Sequence, residues 1–395
     1  MKRIPKAVWW TATAAVVGLI LALTLQPGGG PRRAFSTCLV CGDDGLADVI
    51  RNVVLFIPLG LTLAQVTRRR GRALLAAALL SVGIELTQQW LPGRDPSLSD
   101  ILTNSTGAAI GLALATWPHR WARRSGTLAL GAGIAAACVF VLSGVLLRPI
   151  FPDSVYFAQW TPHLGHLEWY RGRVLSATVG TLALPDGRLA ESDAAIHLLA
   201  EGAPLRVRTI VGPPVHDLSS LFSIADADAH ELLLLGPYGG GLAFRLRLRA
   251  TQLRFDEPDL RLPGVGLGTP GDTVDVAAWR QGTTYCIAVG GVGHCRLGFT
   301  VGRGWALIFY PQSASPLVRS LLNLFWIGLL LAPIGFWFDA GWRAVAGAGV
   351  ALAALALAPA LTGLLTTPAA EWFAAVVGIA AGAGLRRTIK TRVAH

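Results

Sequence analysis

Uncharged apolar runs of helix length fill residues 7–147 and 317–385, and the stretch between them, 151–316, has the polar punctuation of soluble chain. A membrane span needs roughly 20 predominantly apolar residues, and eight windows qualify: about 8–26, 48–67, 73–91, 100–117, 127–147, 317–337, 344–362 and 368–385. The chain therefore reads as a polytopic α-helical membrane protein of about eight spans with an inserted soluble domain. Three regions follow: 1–147, a bundle of about five spans; 151–316, an external domain; and 317–395, about three spans with a basic tail. A composition of 53% hydrophobic and 14% charged residues agrees, being too apolar for ordinary soluble domains.

The formal charge of +11 raises the question of nucleic acid, and the position of the charge answers it. The block 151–316 carries 13 Arg against 15 Asp and Glu. The basic excess lies instead in Met1–Lys6, Arg68–Arg72, His119–Arg124, Asp339–Arg343 and Arg386–Arg392, which hold 15 Lys and Arg and one acid, Asp339. Short basic loops between spans mark the cytoplasmic face. No nucleic-acid partner is expected. Both termini are expected in the cytoplasm, with 27–47, 92–99, 151–316 and 363–367 outside. The first run is longer than a signal-peptide core and no small-residue cleavage site clearly follows, so it reads as a retained span.

Within 151–316, Ala243-Phe244-Arg245-Leu246-Arg247-Leu248-Arg249 alternates with a period of two, as half-buried strands do. Further strands are expected at Arg206–Val211, Leu218–Ile224, Glu231–Leu235, Thr273–Trp279, Thr284–Val289, Cys295–Val301 and Ala306–Tyr310. The expected fold is an all-β sandwich of the jelly-roll type. If Gly290-Gly291 forms a two-residue turn, counting outward sets Val289 opposite Val292 and Cys286 opposite Cys295, at disulfide distance.

The segment Leu46–Gly111 carries Asn52, Phe56, Pro58 and Gly60, then Ser81, Glu85 and Gln88, then Arg94, Asp100, Asn104, Gly107 and Gly111. This order, N-x3-F-x-P-L-G, S-x3-E-L-x-Q and R-x5-D-I-x2-N-x2-G-x3-G, resembles the VanZ-like family. The resemblance implies a helical bundle in the bacterial cytoplasmic membrane, a link to glycopeptide resistance and no established reaction. The stretch Leu221–Asp226, Leu232–Gly236, Leu242–Arg245, Gly271-Asp272 and Tyr285 is similar to laminin-G and concanavalin A-like sandwiches. That resemblance implies recognition, most often of carbohydrate.

Glu85 sits deep in an otherwise uncharged span, where an ionisable group marks a functional site by default. Gln88 shares its helical face at i+3, and Asp100 and Asn104 share a face of the next helix. The connecting loop is short and contains Arg94, the nearest cation in sequence. Asn52, Glu85, Gln88, Arg94, Asp100 and Asn104 form a candidate cluster, read either as a site for a polar head group or a proton, or as an interhelical clamp. Gly107 and Gly111 are packing residues, and Pro58 is expected to kink its helix.

Cys38 and Cys41 form an outer C-x2-C, read as a structural disulfide with a thiol-oxidase site as the alternative. Cys138 is expected to pack within its span. His163, His166 and Glu168 make a weak metal pattern, read as surface residues, so no metal and no cofactor is expected. Trp160, Trp169, Trp279 and Trp305 are core or rim residues, or platforms for sugar rings.

The function expected is that of a non-catalytic or transport-like envelope factor. Its partners are membrane lipid, a cell-envelope glycan at the sandwich and a lipid-linked or amphiphilic precursor at the bundle. The alternative is a membrane enzyme: a thiol oxidase through Cys38 and Cys41, or a lipid-modifying catalyst at Glu85. The oligomeric state is left open.

Overall fold

The computed structural model describes residues 5–28, 31–40, 42–67, 69–116, 125–165, 167–312 and 314–393. Among the described residues are eight helices of 19 residues or more: α1 (Lys6–Thr24), α2 (Gly45–Val66), α3 (Arg70–Gln88), α4 (Leu98–Thr116), α5 (Gly126–Leu146), α8 (Pro316–Trp337), α9 (Trp342–Thr362) and α10 (Ala369–Val393). Two shorter ones, α6 (Ser192–Glu201) and α7 (Arg249–Gln252), lie in the middle block. Six of the long helices are long and apolar enough to cross a membrane: α1, α2, α5, α8, α9 and the Ala369–Thr388 part of α10. The other two, α3 and α4, have the length but less apolarity. Arg70, Arg72 and Glu85 lower it in α3, and Ser99, Asp100, Thr103, Asn104, Ser105 and Thr106 in α4.

The helices form two bundles, α1 to α4 and α5 with α8 to α10. Lipid tails give no hydrophobic drive between spans, so close backbone packing has to hold them together. Gly60, Gly107 and Gly111 let α2 and α4 touch. A Cβ at these positions would stand 2.0, 2.1 and 2.0 Å from the carbonyl oxygens of Ala108, Val53 and Ile57. Gly133 and Gly347 do the same for α5 and α9, and Gly335 and Gly382 for α8 and α10. Pro58 lies on the exposed side of α2, which runs unbroken through it, and the Thr62 hydroxyl donates to the Pro58 carbonyl. Cys138 faces outward from α5 instead of packing inside the bundle.

The middle block is a sandwich of two six-stranded antiparallel sheets. One has the order β4 (Gly187–Arg188), β1 (Phe157–Trp160), β6 (Phe222–Ala225), β7 (Glu231–Tyr238), β8 (Gly241–Leu246), β9 (Leu260–Pro263). The other has the order β12 (Val292–Leu297), β11 (Thr284–Val289), β10 (Thr273–Gln281), β5 (Leu205–Ile210), β2 (Arg173–Val179), β3 (Leu182–Ala183). Strand β5 alternates buried and exposed residues along Leu205–Thr209. Val207, Val276 and Ile287 from one sheet share a core with Leu233, Leu235 and Phe244 from the other. Each such side chain contributes about 1.5–3 kcal/mol on burial.

Gly290 and Gly291 take φ of +57° and +86°, the two left-handed positions of a tight hairpin turn. Val289 therefore faces Val292 and Cys286 faces Cys295. Those cysteines are bonded, with Cα atoms 4.1 Å apart.

Two expectations for the block are corrected. It is not all-β: Ser192–Glu201 is a helix that buries Ala195 and Leu199, four residues apart, and ends at Gly202 with φ +85°. The strand expected over Ala306–Tyr310 is replaced by a 3-10 helix, Val301–Leu307, and the preceding strand ends at Leu297. A short apolar run such as Trp305–Ile308 has no period that tells strand from buried helix. Here Gly302 and Gly304 press against Glu371 and Ser143 of the second bundle, which selects the compact form.

The sandwich is fastened to both bundles. Arg254, with φ +58°, turns its carbonyl to accept from the Leu46 and Ala47 N–H groups (3.0 and 3.2 Å), capping the start of α2. Helix N-termini carry such orphan donors. On the second bundle, the Arg148 carbonyl beyond α5 accepts from the Arg249 N–H (2.9 Å), and buried Glu371 accepts from the Thr300 hydroxyl and the Gly302 N–H. At the opposite end, Asp339 accepts from Gly126 N–H (2.6 Å), and Arg386 donates to the Phe336 carbonyl (2.9 Å). Arg69, Arg70, Arg72 and Arg343 lie at the starts of α3 and α9, away from the sandwich. The basic residues expected at Met1–Ile4, Arg68 and His119–Arg124 lie outside the described residues.

Candidate functional site

The polar residues of α2, α3 and α4 meet at the sandwich end of the first bundle as rungs about one helical turn apart. The outer rung is ionic. Arg51 bonds Asp44, lies 3.3 Å from Asp48 and reaches Asp256 of the sandwich at 3.6 Å.

In the middle rung, the Asn52 amide donates to Asp100 (2.7 Å) and to Asp48 (3.3 Å). Ser97 starts α4 by accepting the Asp100 N–H (3.1 Å) on its hydroxyl, an N-cap contact, and donates its own N–H to Glu85 (2.9 Å). Glu85 is 2% exposed, and no ion pair holds it among the described residues. The inner rung is a bond from the Asn104 amide to the Ser81 hydroxyl (3.0 Å), and the Asn104 carbonyl oxygen is buried without a donor.

The rungs thus carry Asp44, Asp48, Glu85, Asp100 and Asp256 against the guanidinium of Arg51. Burial pushes the Asp256 carboxyl up to about 6, against the pull of Arg51 and the Tyr310 N–H. A site with this donor set has acceptors to spare, so it suits a proton, a cation or an amine-bearing group.

The two remaining members of the expected cluster do other work. Arg94 donates to the carbonyls of Gln26 (2.7 Å) and Leu23 (3.2 Å), and Gln88 donates to Thr24 (2.9 Å). Both satisfy orphan carbonyls where α1 ends, so Arg94 is not the counter-ion of Glu85.

Asp48, Arg51, Ser81, Ser97 and Asp256 were not in the cluster read from sequence. For Asp48 the signal is its spacing of four from Asn52, and for Ser97 the S-x-x-D start of a helix. Asp256 has none, because it arrives from the other domain.

Over the helices that build this site, a family resemblance has independent support. The VanZ/LLP1 family model matches residues 9–119. The VanZ-like match thus covers α1 to α4 and leaves the sandwich and the second bundle outside it. No curated protein and no solved structure matches the chain.

Elsewhere, Cys38 is disulfide-bonded, and Cys41, its expected partner, lies outside the described residues. His166 is also outside them. Glu168 accepts the His216 and Asp217 N–H groups (2.7 and 2.8 Å), which hold its carboxyl below the usual range. Trp305 is buried and bonded to Asn323, and Trp160 donates to Leu184. Trp169 is 51% exposed between His163 and Arg171. Asp226, Asp228 and His230 are close enough together for a metal, but Asp226 already accepts from Arg247 (3.0 Å) and from the backbone of its own turn.

Proposed function

We propose that the chain is a VanZ-like, non-catalytic envelope factor of the bacterial cytoplasmic membrane. In this reading α3 and α4 also span, both termini are cytoplasmic, and the sandwich, of the laminin-G or concanavalin A jelly-roll type, faces outward and engages surface glycan. The rungs between α2, α3 and α4 receive the polar group of a lipid-linked or amphiphilic molecule. A link to glycopeptide resistance follows from the family resemblance.

The observation that carries the reading is Glu85, buried with a single backbone donor and no counter-ion among the described residues. At the centre of a span an acid costs about 2.5–3.5 kcal/mol on insertion scales; Glu85 lies in the last turn of α3, where the cost is lower, yet it is buried and scaffolding does not require its charge. Glu85→Gln keeps the acceptor for Ser97 and deletes the charge and the proton. As a clamp the glutamine serves as well, since such interhelical bonds contribute only about 0.6 kcal/mol on average. The proposal expects Glu85→Gln, at unchanged protein level, to abolish the effect of the protein on glycopeptide sensitivity. Wild-type sensitivity from that variant leaves the rungs as scaffold.

A further inference from the structure

A second polar region lies where the sandwich meets α8. A cavity of about 780 Å³ opens between the end of β7 and its turn, β9, β12, the 3-10 helix and the first turns of α8. Its walls include Arg261, Arg296, Arg303 and Arg319, and two acids, Asp217 and Asp259.

Asp259 is already saturated. It accepts from Arg261 (2.9 and 3.2 Å) and from the Tyr310 hydroxyl, and Arg245 stands 3.8 Å away. Asp217 is exposed at the rim. Arg303 lies over the rings of Trp305 (5.0 Å) and Tyr310 (5.3 Å), and Arg319 donates to the Ala314 and Gln312 carbonyls (2.9 and 3.3 Å). Among the described residues no carboxylate pairs with Arg296, Arg303 or Arg319. Burial first, and then the neighbouring Arg319, hold the Arg303 guanidinium below its usual value. Arg303 and Arg319 therefore repel one another in a partly desolvated space with Arg296 at its exposed mouth, and an anion between them relieves that repulsion.

The level of the cavity narrows the ligand. Pro316, Arg319 and Asn323 belong to the first two turns of α8, where an apolar helix enters the bilayer. Leu317, Leu321, Phe325 and Leu329 continue from there as an exposed apolar stripe. We propose that this cavity binds the phosphate or pyrophosphate head of an amphiphile through Arg296, Arg303 and Arg319, with the tail in the bilayer along α8. This site is separate from the rungs at Glu85 and stands or falls without them.

The test uses the full chain in an uncharged detergent, with farnesyl diphosphate, inorganic pyrophosphate and farnesol as probes in equilibrium binding. Saturable binding of farnesyl diphosphate is expected. It weakens at least tenfold in the double variant Arg303→Gln/Arg319→Gln, and neither pyrophosphate nor farnesol alone binds as tightly. No saturable binding by the wild type, or unchanged binding by the folded double variant, overturns the proposal. Pyrophosphate binding as tightly as farnesyl diphosphate overturns the amphiphile as ligand. If the double variant does not fold, Arg296→Gln at the exposed mouth must weaken binding at least threefold, and unchanged affinity there overturns the site.

Discussion

The rungs of the first bundle and the cavity beside α8 lie toward the sandwich and are built with opposite signs. In the bundle, Asp44, Asp48 and Asp256 surround Arg51, with Asp100 and Glu85 beyond its reach; in the cavity, Arg261 and Arg245 hold Asp259. In both, one opposite charge organises its neighbours and leaves an excess. The formal charge of +11 conceals this pattern, because total charge says nothing about where unmatched charge is buried. The lesson is that the two places differ in the sign of the charge that pairing leaves over.

The largest expected effect separates the two scaffolds. Gly107→Leu puts side-chain atoms into the Val53 carbonyl, where even a Cβ would stand 2.1 Å away. Overpacking costs about 1–3 kcal/mol and occasionally more, and a backbone clash belongs at the upper end, so the rungs of the first bundle come apart and detergent-solubilised protein melts early. Gly131→Leu, which meets nothing within 4 Å, leaves the melting temperature unchanged.

What was legible in sequence follows the same division between local and distant geometry. Run length alone placed the eight long helices, and alternation placed strands such as β5 and β10. The Gly290-Gly291 turn set the register of the cysteine hairpin. Asn52 bonds Asp100, Glu85 joins their rung through Ser97 and Asn104 lies one rung deeper, because helical spacing and a short loop force neighbours together. Arg94 is not legible in this way, because the carbonyls at the end of α1, far away in sequence, take its guanidinium. Strands β1, β3 and β4 have four residues or fewer and carry no period to detect. The arginines of the cavity come from β9, β12, the 3-10 helix and α8, so only the fold brings them together.

The central counter-ions should differ in cost. Asp259→Asn leaves the buried Arg261 without its carboxylate and Arg245 with Glu231 alone, and is expected to destabilise by about 3 kcal/mol. Arg51→Gln should cost only about 1 kcal/mol, because Asp44 and Asp48 reach solvent and water screens them. Denaturation of both variants in one detergent measures the ratio. Equal costs would erase the contrast in burial between the two regions.

A smaller effect depends on pH. Burial pushes the Glu257 carboxyl up to about 7 and that of Asp256 up to about 6, so the folded state holds protons that the unfolded chain has released. Stability contributed by these groups is lost as pH rises from about 4 through 7. The melting temperature should therefore climb by a few degrees between pH 8 and pH 5.5. Glu257→Gln, which keeps an acceptor for the Leu248 N–H, should flatten most of that climb.

The central claim is that both unmatched sites face the envelope, and accessibility to a membrane-impermeant maleimide in intact cells tests it most directly. Ala190 is exposed on the sandwich and Gly71, at the start of α3, has open space around it. The account predicts that Ala190→Cys reacts in intact cells and that Gly71→Cys reacts only after the membrane is permeabilised. Labelling of Gly71→Cys in intact cells, with Ala190→Cys protected, would contradict it.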